Sequence, residues 1–372
     1  MYRENENPTA LAEQLGERVV VQDLDVVVPD LVCTQPQPHS SNGSGRGTRR
    51  CGSFLRRHEQ RDGVLVCGNG HSFESRDGIP DMSPGDPNTT VDAFTYKWNY
   101  APEAMRAERE RIATEWFFER FESFFLEEGG IEGKKRVLDA GCGLGNLTRA
   151  LAAEAPQATV FGLDLSESLY HVCELPENAR LVRGDLTACP ISGKFDLIVS
   201  DGVLHHTEST RRSLQALIDL LEPTGDLLVY LYRRKAPLRE LADDYLRKLL
   251  TRMSPGDCMS ICEQFADIGR QLREAKVTLH FDKPIPVLGI AAGEHDLQRL
   301  IYWHFFNCWY DDGGDMVASA LENFDWYAPP LAHRHLRSEV EGWLTLNNWP
   351  VEIVRFGESE SGFSIHIRRT HA

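Results

Sequence analysis

The stretch that decides the fold runs from Val137 to Thr148 and reads Val-Leu-Asp-Ala-Gly-Cys-Gly-Leu-Gly-Asn-Leu-Thr. Apolar residues lead into an acid, three glycines follow at alternate positions, and a helical pattern then begins. This order predicts a buried parallel strand, a glycine turn and the first turn of a helix. Glycine has no Cβ, so the backbone of the turn can approach a ligand closely. The Gly-x-Gly-x-Gly spacing differs from the Gly-x-Gly-x-x-Gly fingerprint of dinucleotide sites, because Asn146 stands where the third glycine would be.

Three more apolar runs downstream also end in an acid, at Asp164, Asp185 and Asp201. The carboxyl ends of parallel strands meet at one edge of a sheet, so these acids and Asp139 are expected to share one rim. Helical patterns between the runs favour right-handed crossovers. The sequence therefore predicts an α/β fold with a Rossmann-like, doubly wound sheet. Further strands over 226–232, 351–356 and 363–368 bring the expected number of strands to seven.

The order of these motifs over residues 134–235 resembles that of class I S-adenosylmethionine (SAM)-dependent methyltransferases. The resemblance implies SAM as the cofactor, with Asp139 near its amino-acid end, Asp164 on the ribose and Asp185 on the adenine amino group. SAM carries no phosphate, and an acid-lined rim suits a ribose and an ammonium group better than a phosphate. The complete set of cofactor-binding residues that we predict is Asp139, Gly141, Cys142, Gly143, Gly145, Asn146, Asp164, Leu165, Gly184, Asp185, Leu186, Asp201 and Gly202.

Candidate catalytic residues follow the fourth predicted strand and precede the last helix. His205 and His206 are placed to act as a general base, since imidazole titrates near neutral pH. The alternative is that this His-His pair is only structural. Tyr327, His333 and His335 lie in a segment that resembles one in uncharacterised bacterial methyltransferases, where it runs near the active site. They are predicted to contact the acceptor.

A possible metal centre lies near the N-terminus, in Cys33, Cys51, Cys67 and His71. With the turn Asp-Gly-Ile-Pro at 77–80, this region resembles a small zinc-ribbon family that includes activator subunits of methyltransferases. Three cysteines and one histidine are a common structural zinc set. Residues 34–50 separate the first two cysteines, so either this loop bulges out and both sulfurs meet the metal, or the site has decayed. Unrelated buried thiols are the remaining alternative.

The chain divides into five predicted parts. These are an extension over 1–30 with a strand near 19–28, a zinc-ribbon-like domain over 31–82, an aromatic and helical cap over 83–133, a SAM-binding domain over 134–235 and 331–372, and a helical insertion over 236–330. The insertion is expected to form the acceptor pocket. In the cap, one helix is expected from Pro102 to about Glu128, and the aromatic stretch 96–100 either packs on the sheet or covers the cofactor.

Composition restricts the classes of function. The 372 residues carry 56 acids and 40 bases, a formal charge of −16, which argues against a general nucleic-acid binder. A secretory signal and a membrane span are not expected. Nine cysteines, scattered and odd in number, indicate reduced thiols in the cytoplasm. A monomer or a homodimer is expected.

These observations favour a SAM-dependent methyltransferase that acts on an O, N or C atom of a small molecule. Methylation of RNA or protein is an alternative, with the ribbon as the recognition module, because residues 31–80 hold seven arginines and four acids. A third possibility is a non-catalytic module that binds SAM or scaffolds a partner. A nicotinamide dehydrogenase does not suit the glycine spacing.

Overall fold

The structure is a computed structural model that describes residues 28–35, 50–84, 89–100, 103–172 and 175–371. The strand expected near 19–28 lies outside the described residues except for Val28, which begins a short 3-10 helix, Val28–Asp30. Most of the 34–50 insertion is likewise outside them.

A four-stranded antiparallel sheet forms the N-terminal part. Its strands are β1 (Leu55–Arg57), β2 (Val64–Cys67), β3 (Ser72–Arg76) and β4 (Ile79–Pro80), in that order across the sheet. Alternate side chains point inward, and Phe73 on β3 is buried between exposed neighbours. The sheet is small, so packing against the rest of the chain adds to its core.

Three helices follow: α1 (Thr89–Tyr100), α2 (Glu103–Arg120) and α3 (Glu122–Leu126). The structure thus has a break where the sequence predicted a single helix to about Glu128. At the break Phe121 leaves helical geometry, with φ −115° and ψ 22°, and its side chain is buried. Packing of Phe117, Phe121 and Phe124 against the central sheet therefore takes precedence over helix continuity.

The central unit alternates strands and helices. Its elements are β5 (Arg136–Ala140), α4 (Asn146–Glu154), β6 (Thr159–Asp164), β7 (Ala179–Arg183), β8 (Phe195–Asp201), α5 (Thr210–Leu220) and β9 (Leu221–Tyr232). Five of the strands run parallel in the order β9-β8-β5-β6-β7. Nearly all residues of β5 and β8 are buried, as expected for strands that are covered on both faces.

The insertion consists of α6 (Pro237–Leu250), α7 (Pro255–Glu274), a hairpin of β10 (Thr278–Phe281) and β11 (Gly293–Asp296), α8 (Leu297–His304) and α9 (Met316–Tyr327). Proline occupies the first turn of both α6 and α7, where its missing N–H costs nothing. The chain then returns through α10 (Arg337–Leu346) to β12 (Val351–Glu358) and β13 (Gly362–Arg369).

Strands β12 and β13 complete the central sheet as antiparallel neighbours of β9, giving seven strands in the order β12-β13-β9-β8-β5-β6-β7. The predicted Rossmann-like α/β fold with seven strands is confirmed, while the predicted domain boundaries remain predictions. No helix among the described residues combines the length and the apolarity that crossing a bilayer requires.

The N-terminal sheet packs against the edge strand β7. Asp81 forms a parallel bridge with Arg183, and Leu31 forms an antiparallel bridge with Ile191. The Asp81 carboxylate also lies 2.6 Å from the Arg183 guanidinium. The edge of the large sheet that would otherwise carry unpaired backbone groups is thereby covered.

Candidate active site and metal centre

The glycine turn between β5 and α4 has a backbone that only glycine adopts easily. Gly141, Gly143 and Gly145 have φ values of +92°, +55° and +72°. At Gly141 a Cβ would lie 2.3 Å from Cγ2 of Val203, far inside van der Waals contact. Gly145 ends the turn and brings the chain directly into α4. The N-terminus of a helix therefore faces the rim of the sheet beside β6 and β8.

Asp164, at the end of β6, holds this turn in place. Its Oδ2 accepts a hydrogen bond from the Gly143 amide at 2.8 Å, and its Oδ1 accepts one from the Ser166 amide at 2.7 Å. A carboxylate has about four acceptor sites, so lone pairs remain for ligand hydroxyls. The predicted ribose-binding residue thus also shapes the turn that would receive the rest of the ligand.

Asp139, at the end of β5, is almost completely buried. Burial raises the pKa of this carboxyl to about 7, against the hydrogen bond that Thr148 Oγ1 donates at 2.7 Å, and the charges of Asp164 and Asp201 raise it further. Asp139 therefore titrates near neutral pH.

Asp201 lies at the end of β8, where Arg120 of α2 reaches its Oδ2 at 2.5 Å. Burial raises the pKa of Asp201, and the Arg120 charge opposes that rise. The buried Oδ1 has no hydrogen-bond partner among the described residues. Such an orphaned acceptor at the rim is available to a donor on a ligand.

The remaining acid of the rim, Asp185, caps the short 3-10 helix Leu186–Ala188 by accepting the Thr187 amide at 2.8 Å. Arg50, beside the possible metal centre, donates to the Thr187 carbonyl at 3.1 Å. The loop predicted to contact adenine is therefore in contact with the segment that precedes the N-terminal sheet.

Helix α1 covers the glycine turn. The indole of Trp98 lies 3.6 Å from the position of a Cβ at Gly143, and Phe94 packs edge-on against His206 with ring centroids 4.9 Å apart. Lys97, between them in the sequence, pairs with Asp325 at 2.6 Å. Trp98 therefore packs directly on the glycine turn, and the cofactor-covering interpretation of the stretch 96–100 stays a prediction.

His206 is held in one tautomer. Its Nδ1 lies 2.7 Å from the carbonyl oxygen of Leu331, and since a carbonyl only accepts, Nδ1 carries the proton. Burial lowers the pKa of His206 to about 4, although the nearby Asp325 opposes that fall. His206 is therefore neutral at pH 7, with the lone pair on Nε2, and no partner for Nε2 is recorded among the described residues.

His205 is more enclosed than His206. Its ring stacks on Tyr232 at 3.6 Å, and Nδ1 accepts the Tyr232 amide at 3.3 Å. Burial lowers the pKa of His205 well below its usual value. The backbone carbonyl accepts the His333 amide at 2.8 Å. These contacts fix His205 in the core beside His206, where it packs against β9 and the segment at His333.

Each of the three other predicted acceptor contacts makes hydrogen bonds within the protein. Tyr327 is buried within the insertion, and its hydroxyl donates to Asp243 at 2.8 Å. His333 Nε2 donates to the Thr207 carbonyl at 3.0 Å, and His335 lies 3.0 Å from the Thr210 hydroxyl. Their contact with an acceptor stays a prediction.

Sequence reasoning missed four side chains around His206 and Asp201. Lys97, Arg120, Tyr232 and Asp325 come from separate elements, and the Tyr232 hydroxyl donates to Asp325 Oδ2 at 3.0 Å. Tyr232 does end the fifth predicted strand, which was the one available signal. The partnerships themselves join residues up to 228 positions apart and leave no local pattern.

The three cysteines and the histidine of the possible metal centre do come together. Their ligand atoms all lie within 4.8 Å of one another: Cys51 Sγ to Cys67 Sγ is 3.8 Å, and His71 Nδ1 lies 3.3 Å from Cys33 Sγ and 3.2 Å from Cys67 Sγ. Zinc–sulfur bonds of about 2.3 Å in a tetrahedron place sulfurs about 3.8 Å apart. The Cys51–Cys67 distance is thus the one expected for two thiolates on a single tetrahedral zinc ion.

Backbone pairing explains how the split first pair of cysteines meets. The Cys51 amide donates to the Gln35 carbonyl at 2.8 Å, and the Cys33 amide donates to the Ser53 carbonyl at 2.9 Å. The chain on both sides of residues 36–49 is thus directly paired. In addition, Asn69 Nδ2 lies 3.0 Å from Cys51 Sγ, a contact that stabilises a thiolate ligand.

The central segment is similar to known methyltransferases. Residues 137–225 match the family model described as Methyltransferase domain. A malonyl-[acyl-carrier protein] O-methyltransferase of Priestia megaterium is 27% identical over 143 residues, 36% of this chain and 52% of that protein. A trans-aconitate 2-methyltransferase of Deinococcus radiodurans is 40% identical over 97 residues, 25% of this chain and 36% of that protein. The chain spans between 29% and 54% of the length of the curated relatives it matches.

Among solved structures, this chain is similar to magnesium protoporphyrin IX methyltransferase from Synechocystis PCC 6803 with bound S-adenosylhomocysteine (SAH). The superposition has a TM-score of 0.40 at 16% identity and covers 76% of this chain and 95% of that one.

Proposed function

We propose that this protein is a SAM-dependent methyltransferase that acts on a small-molecule acceptor. The observation that carries the proposal is the junction of the glycine turn with Asp164, whose carboxylate organises the turn and keeps lone pairs for a ribose. The match of residues 137–225 to the methyltransferase model supports it.

The residues at the rim suit SAM by their chemistry. Positions 139–148 contain no lysine or arginine, so the turn offers acids and amides rather than cations. Asp139 and the orphaned Oδ1 of Asp201 suit an ammonium group, and Asp164 suits ribose hydroxyls. When bound, SAM supplies an electrophilic methyl group on a sulfonium centre.

The chain itself would position the acceptor and receive its proton. Positioning of two reactants can contribute about 7–11 kcal/mol to catalysis. His206, neutral at pH 7 with its Nε2 lone pair available, is the general base in this proposal wherever the acceptor must lose a proton. The burial that keeps His206 neutral also makes it a weak base, which suits acceptors that are acidic in themselves.

The named relatives favour a small acceptor group. They are described as methyltransferases of malonyl-[acyl-carrier protein] and of trans-aconitate. We extend to this chain only the class of acceptor, a small metabolite or a small group on a carrier.

We further propose that Cys33, Cys51, Cys67 and His71 bind a structural zinc ion. A site with four protein ligands leaves no open position for substrate, so the ion would stabilise the N-terminal sheet rather than take part in the reaction. None of the eight cysteines among the described residues is in a disulfide, which agrees with the reducing, cytoplasmic compartment that we propose.

The test is transfer of a labelled methyl group from SAM to the low-mass fraction of a cell extract. Labelled small products that disappear with Asp164→Ala would support the proposal. Label found only in RNA, or on the side chains of proteins rather than on a small group that a carrier protein holds, would favour the recognition alternative. Tight SAM binding without transfer to any fraction would leave a non-catalytic SAM-binding module.

A further inference from the structure

Helix α6 exposes an apolar stripe. Four of its members, Leu238, Leu241, Tyr245 and Leu249, recur at helical spacing along one face of α6, and a fifth, Met253, lies in the turn just beyond the end of the helix. Leu241 and Tyr245, in the middle, are 70% and 64% exposed. Val287, which is 74% exposed, lies on the short helix Pro286–Leu288 that packs against α6. An apolar row of this length on a surface helix marks a contact surface.

The opposite face of α6 is fixed, so the helix cannot turn the stripe inward. Arg239 and Asp243 form a fully buried ion pair, and Asp243 also accepts from the Trp326 indole at 2.7 Å. One turn further on, buried Arg247 donates to the carbonyls of Trp326 and Pro329. Leu250 continues this face into the core of the insertion.

Charges border the stripe in a self-complementary order. Asp244 and Lys248 are exposed and lie four residues apart on α6, so they lie along the same edge of the stripe, and exposed Arg252 follows in the turn after the helix. The acid stands toward the N-terminus and the two bases toward the C-terminus. Asp244 pairs with Arg334 but remains 55% exposed.

We propose that this face of α6 is a homodimer interface, formed by two copies that cross antiparallel about a two-fold axis at Tyr245. A two-fold interface brings the same patch of both copies together. Leu241 then meets the partner's Leu249, and Leu238 meets the partner's Met253. The charged edge of one helix then lies beside the same edge of the partner, which runs in the opposite direction. Asp244 therefore lies opposite the partner's Lys248. A parallel pairing would not match these charges in this way.

The size of the stripe sets the strength of the dimer. A 14-residue helix is about 21 Å long. One such face buries less than the roughly 800 Å² per partner of a standard stable interface. Interfaces below the standard size are typical of weak, reversible association, so the dimer population should rise with protein concentration.

Sedimentation velocity over a concentration series of the full chain tests the proposal. Wild type should pass from monomer to dimer, and Leu241→Glu should raise the dissociation constant by about a hundredfold or more, because two-fold symmetry places two charges in the contact. Leu346→Glu is the matched control: Leu346 is an 81% exposed leucine on α10, outside the stripe, and its replacement should leave the dimer intact.

A charge exchange provides the specific readout for the antiparallel arrangement. Lys248→Glu and Asp244→Lys should each weaken the dimer, and the double variant should regain most of the lost affinity. This readout also decides the matter should Leu241→Glu fail to fold.

Three results would overturn the proposal. They are a wild type that stays monomeric throughout, a dimer that Leu241→Glu leaves unchanged, and a monomer that instead cosediments with phosphatidylcholine vesicles through Leu241.

Discussion

Lys97 Nζ lies 2.6 Å from Asp325 Oδ1, and both side chains are nearly buried. The pair joins α1, which covers the glycine turn, to α9 in the insertion. Tyr232, at the end of β9, donates to the other carboxylate oxygen of Asp325. Lys97 and the Asp325–Tyr232 contact lower the pKa of Asp325 despite its burial. The carboxylate of Asp325 thus connects α1, β9 and α9 beside His206.

Removal of the lysine should leave a buried charge without its partner. We expect Lys97→Met to lower the free energy of unfolding by about 3–5 kcal/mol, the usual cost of an uncompensated buried ion. Adding Asp325→Leu should recover part of it. Urea denaturation measures the free energy of unfolding of both variants. The exposed pair Arg337–Glu341 is the control, and Arg337→Met should lower the free energy of unfolding by about 1 kcal/mol or less. A similarly small loss for Lys97→Met would remove the pair from this role.

Gly141→Ala should lower the stability of the protein by more than the positive φ of Gly141 alone would cause. The new Cβ would meet Val203 at 2.3 Å, and the backbone has φ +92°. Gly133 provides the matched control, because it has φ +74° and nothing within 4 Å. Gly133→Ala should cost about 1–2 kcal/mol of stability. Gly141→Ala should cost more and should also weaken SAM binding in calorimetry. Equal losses for the two variants would show that the Val203 contact is unimportant.

Binding of SAM should depend on pH through Asp139. Its pKa of about 7 means that the carboxyl is largely protonated at pH 6, whereas a neighbouring ammonium group favours the carboxylate. Binding must then release a proton, and affinity should fall up to about tenfold for each pH unit below 7. Calorimetry in buffers of different ionisation enthalpy counts that proton. Asp139→Asn should abolish the dependence and Asp185→Asn should keep it; an unchanged dependence in Asp139→Asn would contradict the assignment.

His206→Ala should lower turnover far more than SAM affinity. A general base contributes about 10²–10⁴-fold to the rate. The residues that we assign to SAM do not include His206, so its affinity should change little. With the pKa near 4, His206 stays neutral as the pH falls from about 8 to 5.5, so turnover at saturating SAM should not drop near pH 6.5. Methyl incorporation and calorimetry separate the two quantities. Unchanged turnover in His206→Ala would exclude the base role.

We expect one zinc ion per chain, bound by Cys33, Cys51, Cys67 and His71. Cys51→Ser should remove it, as measured by elemental analysis, and should lower the melting temperature, because a structural zinc site contributes directly to folding. Cys189→Ser, outside the cluster, should keep the ion. A metal-free wild type purified without chelator would refute the zinc proposal.

The fold and the rim acids could be predicted from sequence because their signals are local. Each of Asp139, Asp164, Asp185 and Asp201 ends an apolar run, and parallel strands bring such ends together. The break at Phe121 could not be predicted, because helical spacing continues through it while tertiary packing bends the chain. Lys97 and Asp325 illustrate a second limit: each residue has an ordinary local context, and only folding makes them partners.

Cofactor binding can be measured directly by isothermal titration of the full chain with SAH, the demethylated product of SAM. The account predicts saturable binding at one site per chain at pH 8, lost in Asp164→Ala, whose carboxylate no longer holds the glycine turn. No heat with SAM or SAH, together with saturable binding of a nicotinamide dinucleotide, would contradict it.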